Sequence, residues 1–326
     1  SAYKHIIKSC KSDSCCLLSK ILDMLLDRRT YICAESAGGI PALEYHGVTL
    51  LYDVKRSITA EFSIKKRCSN AFNVSDRVRQ ILKSILPRSP LFVIDFLLFD
   101  LLSARERKLL VKQLLMLVDL MRRRLTTANI VLVNVPENLL KYLDPELKAF
   151  LVLYNNDTGY LQIDGAEPII LDPYALQSLT EADITASRAF ILGGIVDEEF
   201  PRPYATAFVA ELIESLTKVK SRSIMLRGNR VGVPDRINKV VSVLLDVMQQ
   251  QKTIEEAVIE NMSAKDKIVR LYEELKSLRE PDEEYLCRLV EWLRLDFNAL
   301  PNHIKKLLKT ERNCKNAQKL IDNQVL

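Results

Sequence analysis

The stretch Phe190–Asp197, FILGGIVD, decides how the rest of the chain is read. Phe190, Ile191 and Leu192 make an apolar run too short for a helix and suited to a buried strand. Gly193 and Gly194 follow at once, where the backbone can turn tightly and another group can approach without meeting a Cβ. Ile195 and Val196 lead to Asp197, Glu198 and Glu199, and Pro201 and Pro203 stop regular pairing before a helix near Tyr204. A strand that closes on two glycines and delivers an acid at its C-terminal edge matches the ligand-binding edge of an open α/β sheet. A Gly-Gly turn with a solvated acidic loop reads the same way, so the flanking chain has to decide.

Upstream, Leu91–Phe96 is apolar apart from Asp95, as in a strand buried on both faces of a parallel sheet. Ser103 and Glu106 form a capping box at the start of a long helix, whose buried stripe is Leu109, Leu110, Leu114, Leu117, Val118 and Met121. Arg122, Arg123 and Arg124 close that helix, where cations complement its dipole. Strand Ile130–Val133, a short helix over Leu139–Leu143, and strands Leu151–Leu153 and Ile169–Leu171 follow. Downstream comes a helix over Ala205–Val219 with Phe208, Val209, Leu212, Ile213 and Leu216 inward. A last strand, Ser223–Leu226, and a helix over Arg236–Gln250 close the region. Alternating strands and helices over residues 89–250 spell a parallel α/β domain.

Two further modules flank it. Residues 1–88 read as a small α+β unit: a helix carrying Leu17–Leu26, strands at Tyr31–Cys33, Ala42–Tyr45, Val48–Tyr52 and Ser57–Ile64, then a helix over Val74–Leu86. Residues 251–326 read as all-α, with helices over Ala264–Leu278 and Asp282–Leu293 and more after Pro301.

A chain of 326 residues with 48% hydrophobic and 27% charged residues has the composition of a globular protein with a real core. No apolar run reaches the length of a membrane span and no signal-peptide pattern is present, so neither a membrane nor export is expected. Seven cysteines without a C-x-x-C pair, and three histidines, argue against a zinc site or a disulfide framework and for a reducing cytoplasm. The net charge of +5 is unevenly spread. Lys55–Arg88 holds nine Lys/Arg against two acids, Ser103–Leu125 seven against two, and Val135–Glu199 three against twelve. A basic face for a polyanion such as nucleic acid is the expectation.

There is no G-x-x-x-x-G-K-[ST], no G-x-G-x-x-G and no G-x-S-x-G, which sets aside P-loop, dinucleotide and serine-hydrolase sites. His5, His46 and His303 lie outside the α/β region, so histidine-based catalysis is not expected. What remains is a pair of loops after late strands, Gly193–Glu199 and Arg227–Asp235 (RGNRVGVPD), whose backbone groups could read an adenine ring or could be surface turns.

D-F at 95–96, E-R-K-L-L-V-K-Q-L at 106–114, R-R-R at 122–124, I-L-G-G-I-V-D at 191–197 and I-N-K-V-V-S-V-L-L at 237–245 give the chain its resemblance. In order and spacing it resembles the tRNA position-9 N1-purine methyltransferases of the SPOUT superfamily, over roughly Pro90–Gln250. The C-terminal module is similar to that of archaeal members. The resemblance implies a SPOUT-type parallel sheet with a C-terminal trefoil knot and an S-adenosyl-L-methionine pocket in it. That pocket would take in Leu171, Asp172, Leu192, Gly193, Gly194, Leu226, Arg227, Gly228, Pro234, Asp235, Arg236 and Asn238, with Asp197 in the catalytic position. The family's usual Leu-Pro before the last loop is Leu226-Arg227 here. The implied substrate is tRNA and the implied state a monomer, and the basic runs offer Lys65, Lys66, Arg67, Arg122, Arg123, Arg124, Lys305 and Lys306 for its phosphates. A carboxylate serves either base: as the base that takes the N1 proton of guanine, or as an anion facing the cation that forms on adenine. Adenosine is favoured by the archaeal character of the ends. The alternatives are a SPOUT enzyme for another RNA site and a non-catalytic tRNA-binding protein.

Overall fold

Leu91–Asp95 and Ala189–Gly193 run side by side in parallel, Phe92 opposite Phe190, and all but the last residue of the pair of strands are buried. They form the centre of the sheet, as wholly apolar strands should. The computed structural model describes residues 31–33, 37–45, 48–52, 58–60, 63–65, 90–124, 129–143, 152–154, 156, 167–214, 218–276 and 282–308. Its strands are β1 (Tyr31–Cys33), β2 (Ala37–Tyr45), β3 (Val48–Tyr52), β4 (Ile58–Ala60), β5 (Ser63–Lys65), β6 (Leu91–Asp95), β7 (Ile130–Val133), β8 (Val152–Leu153), β9 (Ile169–Leu171), β10 (Ala189–Gly193) and β11 (Lys220–Arg222). Its helices are α1 (Ala104–Arg124), α2 (Glu137–Leu140), α3 (Glu181–Ala186), α4 (Ala205–Glu214), α5 (Ile237–Gln250), α6 (Ile254–Asn261), α7 (Ala264–Lys276), α8 (Glu283–Trp292) and α9 (Asn302–Leu307). No helix among the described residues is long and apolar enough to cross a membrane.

The chain divides into two compact units, Ser1–Ile170 with Ser187–Lys220, and Leu171–Ala186 with Ser221–Leu326. In the main sheet the order is β11-β9-β10-β6-β7-β8, and β10 pairs in parallel with both β6 and β9. From β6 the chain moves outward to β7 and β8, whereas β9 and then β11 lie on the other side of β10. The C-terminal ends of β6 and β10 therefore flank a point where the strand order reverses, the place where such sheets bind ligands. One face is packed by Leu91, Val93, Val131, Ile170 and Ile191 against Val209, Ala210 and Ile213 of α4. On α1, Leu110, Leu114, Leu117, Val118 and Met121 are buried as their helical spacing requires.

In the second unit α5 buries Ile237, Val240, Val241, Leu244 and Leu245. It ends at Gln251 in a left-handed conformation (φ 53°), and a Thr253–Glu256 capping box starts α6. The buried amide of Asn261 donates to Asp246 at 2.8 Å, tying α6 to α5.

Four expectations need correction. Ser57–Ile64 is two short strands, β4 pairing with β2 and β5 with β1; an alternating pattern fixes faces and leaves the partner open. Phe208 and Leu212 are 52% and 44% exposed, because two adjacent helical stripes compete on α4 and the sheet takes the one with Val209 and Ile213. The last strand is Lys220–Arg222, not Ser223–Leu226: Ser223 makes an isolated bridge to Ser178 and Leu226 one to Asn229. Leu226 is buried by a turn, and apolarity reports burial without reporting extension. Cys33 and Cys287 each belong to a disulfide, where free thiols were expected; spacing in sequence does not report which thiols oxidise. The expected helices over Leu17–Leu26 and Val74–Leu86 lie outside the described residues.

Candidate active site

In the first unit the site begins where β10 ends. The Gly194 amide donates to the Asp95 carbonyl at 2.6 Å. A Cβ on Gly194 would lie 2.7 Å from that oxygen and 2.9 Å from Phe96 Cδ1. The glycine is thus demanded by the chain's own close approach to β6. At Gly193 a Cβ would meet only side-chain atoms, Ile195 Cδ1 at 3.0 Å and Thr206 Oγ1 at 3.3 Å. Asp95 is buried; its carboxylate accepts from the Leu97 amide at 2.6 Å and from Asn134 Nδ2 at 3.1 Å, joining the ends of β6 and β7. Leu192 points into the core.

Past the glycines, the chain carries Asp197 to the surface and anchors it through Arg202. Asp197 Oδ2 accepts from the Arg202 amide at 3.2 Å, and Oδ1 lies 3.5 Å from Nη1, with the Asp197 side chain 41% exposed. The Arg202 guanidinium also donates to the carbonyls of Leu101 and Phe200, each at 2.8 Å, and to both oxygens of Glu106 at 3.1 and 2.9 Å. Glu106 is fully buried and accepts from the amides of Ser103, Glu199 and Phe200 as well. The Arg202 hydrogen bond, opposed by burial and reinforced by those amides, holds its carboxyl down at about 2 from an ordinary 4.5. Glu106 is therefore a hub joining α1 to the acidic loop. A capping pattern pointed to the residue without revealing this second role, and Arg202, set between Pro201 and Pro203, was missed.

In the second unit the loop from Leu226 to Asn238 is irregular by design of its backbone. Leu226 and Asn229 exchange backbone hydrogen bonds at 2.9 and 3.1 Å around Arg227 and Gly228, which have φ of 48° and 72°. A Cβ at Gly228 would meet nothing among the described residues within 4 Å, so this turn is open on its outer side. Pro234 is buried, Asp235 and Arg236 are exposed, and Arg236 is the N-cap of α5. Asn238 follows in the first turn, and its buried Oδ1 has no hydrogen-bond partner among the described residues. Asp172 is buried and caps its own turn by accepting from the Tyr174 amide at 3.0 Å; Leu171 is buried beside it in sequence. The second unit thus brings Leu226–Asn238 into one continuous loop and helix start.

Of the residues expected to hold RNA, Lys65 ends β5, while Lys66 and Arg67 lie outside the described residues. Arg122, Arg123 and Arg124 form the last turn of α1 as expected, and Arg123 pairs with Asp119 one turn back. Lys305 and Lys306 sit in the last turn of α9, Lys305 donating to the Asn298 carbonyl at 2.8 Å.

No protein-family model matches the chain. A tRNA (guanine(9)-/adenine(9)-N1)-methyltransferase of Thermococcus kodakarensis is 29% identical over 239 residues, covering 69% of this chain and 64% of that protein. A tRNA (adenine(9)-N1)-methyltransferase of Sulfolobus acidocaldarius is 32% identical over 212 residues, covering 65% of this chain and 67% of that protein. The match therefore spans a little under two thirds of the length of the first of these curated relatives. Among solved structures, Sulfolobus acidocaldarius Trm10 in complex with S-adenosylhomocysteine shares the fold, with a TM-score of 0.59 at 23% identity over 90% of this chain and 88% of that one. The motif order around Gly193–Asp197, the parallel sheet and the identity to the Sulfolobus enzyme agree: this chain belongs to the tRNA position-9 N1-purine methyltransferase family.

Proposed function

We propose that this protein is an S-adenosyl-L-methionine-dependent tRNA methyltransferase acting on N1 of the purine at position 9, with adenosine the favoured base. The observation that carries the reading is the Leu226–Asn238 segment: an open left-handed turn followed by a buried Asn238 Oδ1 with no partner among the described residues. A buried carbonyl without a donor is costly unless a ligand supplies one, and an amino group of the cofactor fits that need. The cofactor-binding residues are then Leu171, Asp172, Leu226, Arg227, Gly228, Pro234, Asp235, Arg236 and Asn238 of the second unit. S-Adenosylmethionine supplies the methyl group when bound.

The chain's own contribution to chemistry rests on Asp197. Guanine N1 carries a proton at neutral pH, which Asp197 takes as methylation proceeds. Adenine N1 is a lone pair, and there the same carboxylate faces the positive charge that methylation creates. Arg202 fixes the position of Asp197 through the backbone amide and leaves the Asp197 side chain partly exposed. The nucleotide has to leave its stack before its Watson–Crick edge is reachable. Lys65, Lys66, Arg67, the Arg122–Arg124 turn, Lys305 and Lys306 hold the phosphates around it. Further parts of the reading are a trefoil knot threaded by the last strands and α5, a monomeric state and a cytoplasmic location.

Calorimetry with S-adenosylmethionine, followed by methyl transfer to an unmodified tRNA transcript with the product mapped by a primer-extension stop at position 9, tests it. Saturable heat and a stop at that nucleotide are the expected results. Heat without methyl transfer would favour a binding protein, and a stop elsewhere would favour another RNA site.

A further inference from the structure

Arg270 is the largest fully buried side chain in the described structure, and its guanidinium is spent on the Leu226–Asn238 loop. From α7, Nη2 donates to the Leu226 carbonyl at 2.6 Å, and Nη1 to the carbonyls of Val231 at 3.1 Å and Asn229 at 3.4 Å. Nε donates to Glu274 Oε1 at 2.7 Å, one turn along the same helix, which neutralises the buried charge. Three carbonyls of one loop converging on one guanidinium is a demand that only the planar, five-donor fork of arginine meets. The loop closes on α7 elsewhere too. A Cβ at Gly232, whose φ is 82°, would lie 2.9 Å from Arg270 Cβ, 2.9 Å from the Asp266 carbonyl and 2.8 Å from Met262 Cε.

The other end of the contact is aromatic. Arg227 Cζ lies 3.8 Å from the centre of the Trp292 ring and Arg270 Cζ lies 5.4 Å from it. Both distances are within cation–π range. Glu255 accepts from Trp292 Nε1 at 2.6 Å and sits 3.5 Å from Arg227 Nη2. Arg227, exposed at the open turn, therefore reports to the same ring that packs against the buried Arg270.

We propose that Arg270 is a positioning residue for cofactor binding: it sets the Leu226–Val231 backbone from the helical C-terminal module, with Trp292 reading the state of Arg227. The inference rests on the methyltransferase reading above, and it makes the C-terminal helices part of the cofactor site's construction.

Trp292 is the single tryptophan of the chain, so tryptophan emission comes from this site alone. The experiment titrates S-adenosylhomocysteine into the full-length protein, following heat and tryptophan emission together. Wild type is expected to give a saturable emission change with the calorimetric midpoint. Arg270→Lys keeps the charge and loses the fork, and its affinity is expected to fall by about tenfold or more, as for losing charged hydrogen bonds, with a diminished emission response. If that variant does not fold, Glu274→Gln decides, since it keeps an acceptor for Nε while removing the neutralising charge; a loss in the same direction of about threefold is expected. Wild-type affinity in Arg270→Lys, or in Glu274→Gln where only that variant folds, overturns the inference, as does normal heat with silent emission. Absence of heat with the wild-type protein overturns the methyltransferase reading, and this inference with it.

Discussion

One buried carboxylate, Glu106, joins the start of α1 to the loop that presents Asp197. Its folded value of about 2 lies below the ordinary 4.5, so its contribution to stability is complete above about pH 4.5 and is lost as the pH falls towards 2. Glu106→Gln is expected to cost about 3 kcal/mol at neutral pH, the low end for breaking a buried pair, and to flatten the acid limb of stability. Urea unfolding across pH 7 to pH 2 measures both, and an unchanged acid limb would show that other carboxylates govern it. For Asp197→Asn, single-turnover methylation of a guanosine-9 transcript is expected to fall by about 100-fold, with a smaller loss on adenosine and little change in tRNA or cofactor affinity. Equal rates on both bases would remove the carboxylate from the mechanism. The Gly193–Asp197 loop was legible as a strand end because two glycines and an acid follow an apolar run within five residues. Arg202 was not, since its work is done on Glu106 and on the Leu101 carbonyl 101 residues away, a distance that no local pattern spans.

The elements were read best where one face decides and worst where two compete. The stripe of α1 and the runs in β6 and β10 leave a single way to bury apolar surface. On α4 two stripes lie side by side, and the sheet covers Val209 and Ile213 while Phe208 and Leu212 stay outside. Phe208→Gln and Leu212→Gln are therefore expected to change unfolding free energy by no more than about 0.5 kcal/mol each, whereas Val209→Ala costs about 2 kcal/mol by cavity formation. Chemical denaturation of the three variants checks the order, and a large loss for Phe208→Gln would mean that its face is covered. The reading of Ser223–Leu226 as a strand failed for a related reason. Its carbonyls were assigned to a sheet, and Leu226 instead gives its oxygen to Arg270.

For the whole molecule, charge distribution is the property most directly visible in the sequence, and its use depends on pairing that is not. The last turn of α1 carries three arginines, yet Arg123 is already paired with Asp119. Binding of a polyanion releases counterions for each phosphate contact, so affinity should fall steeply as salt rises. Replacing Arg122, Arg123 and Arg124 with Gln is expected to make that slope shallower by less than three full contacts, since one charge was partly spent within the helix. Filter binding of a tRNA transcript over a salt series gives the slope, and an unchanged value would place the phosphates elsewhere.

The left-handed turn at Arg227 bears on how this sequence can drift. A proline ring holds φ near −65°, and the chain here needs 48°. A proline at 227 cannot be accommodated by a single substitution while the Leu226–Asn229 bridge and the Arg270 contacts remain. A proline at this position would require the loop and the helix behind it to be rewritten together.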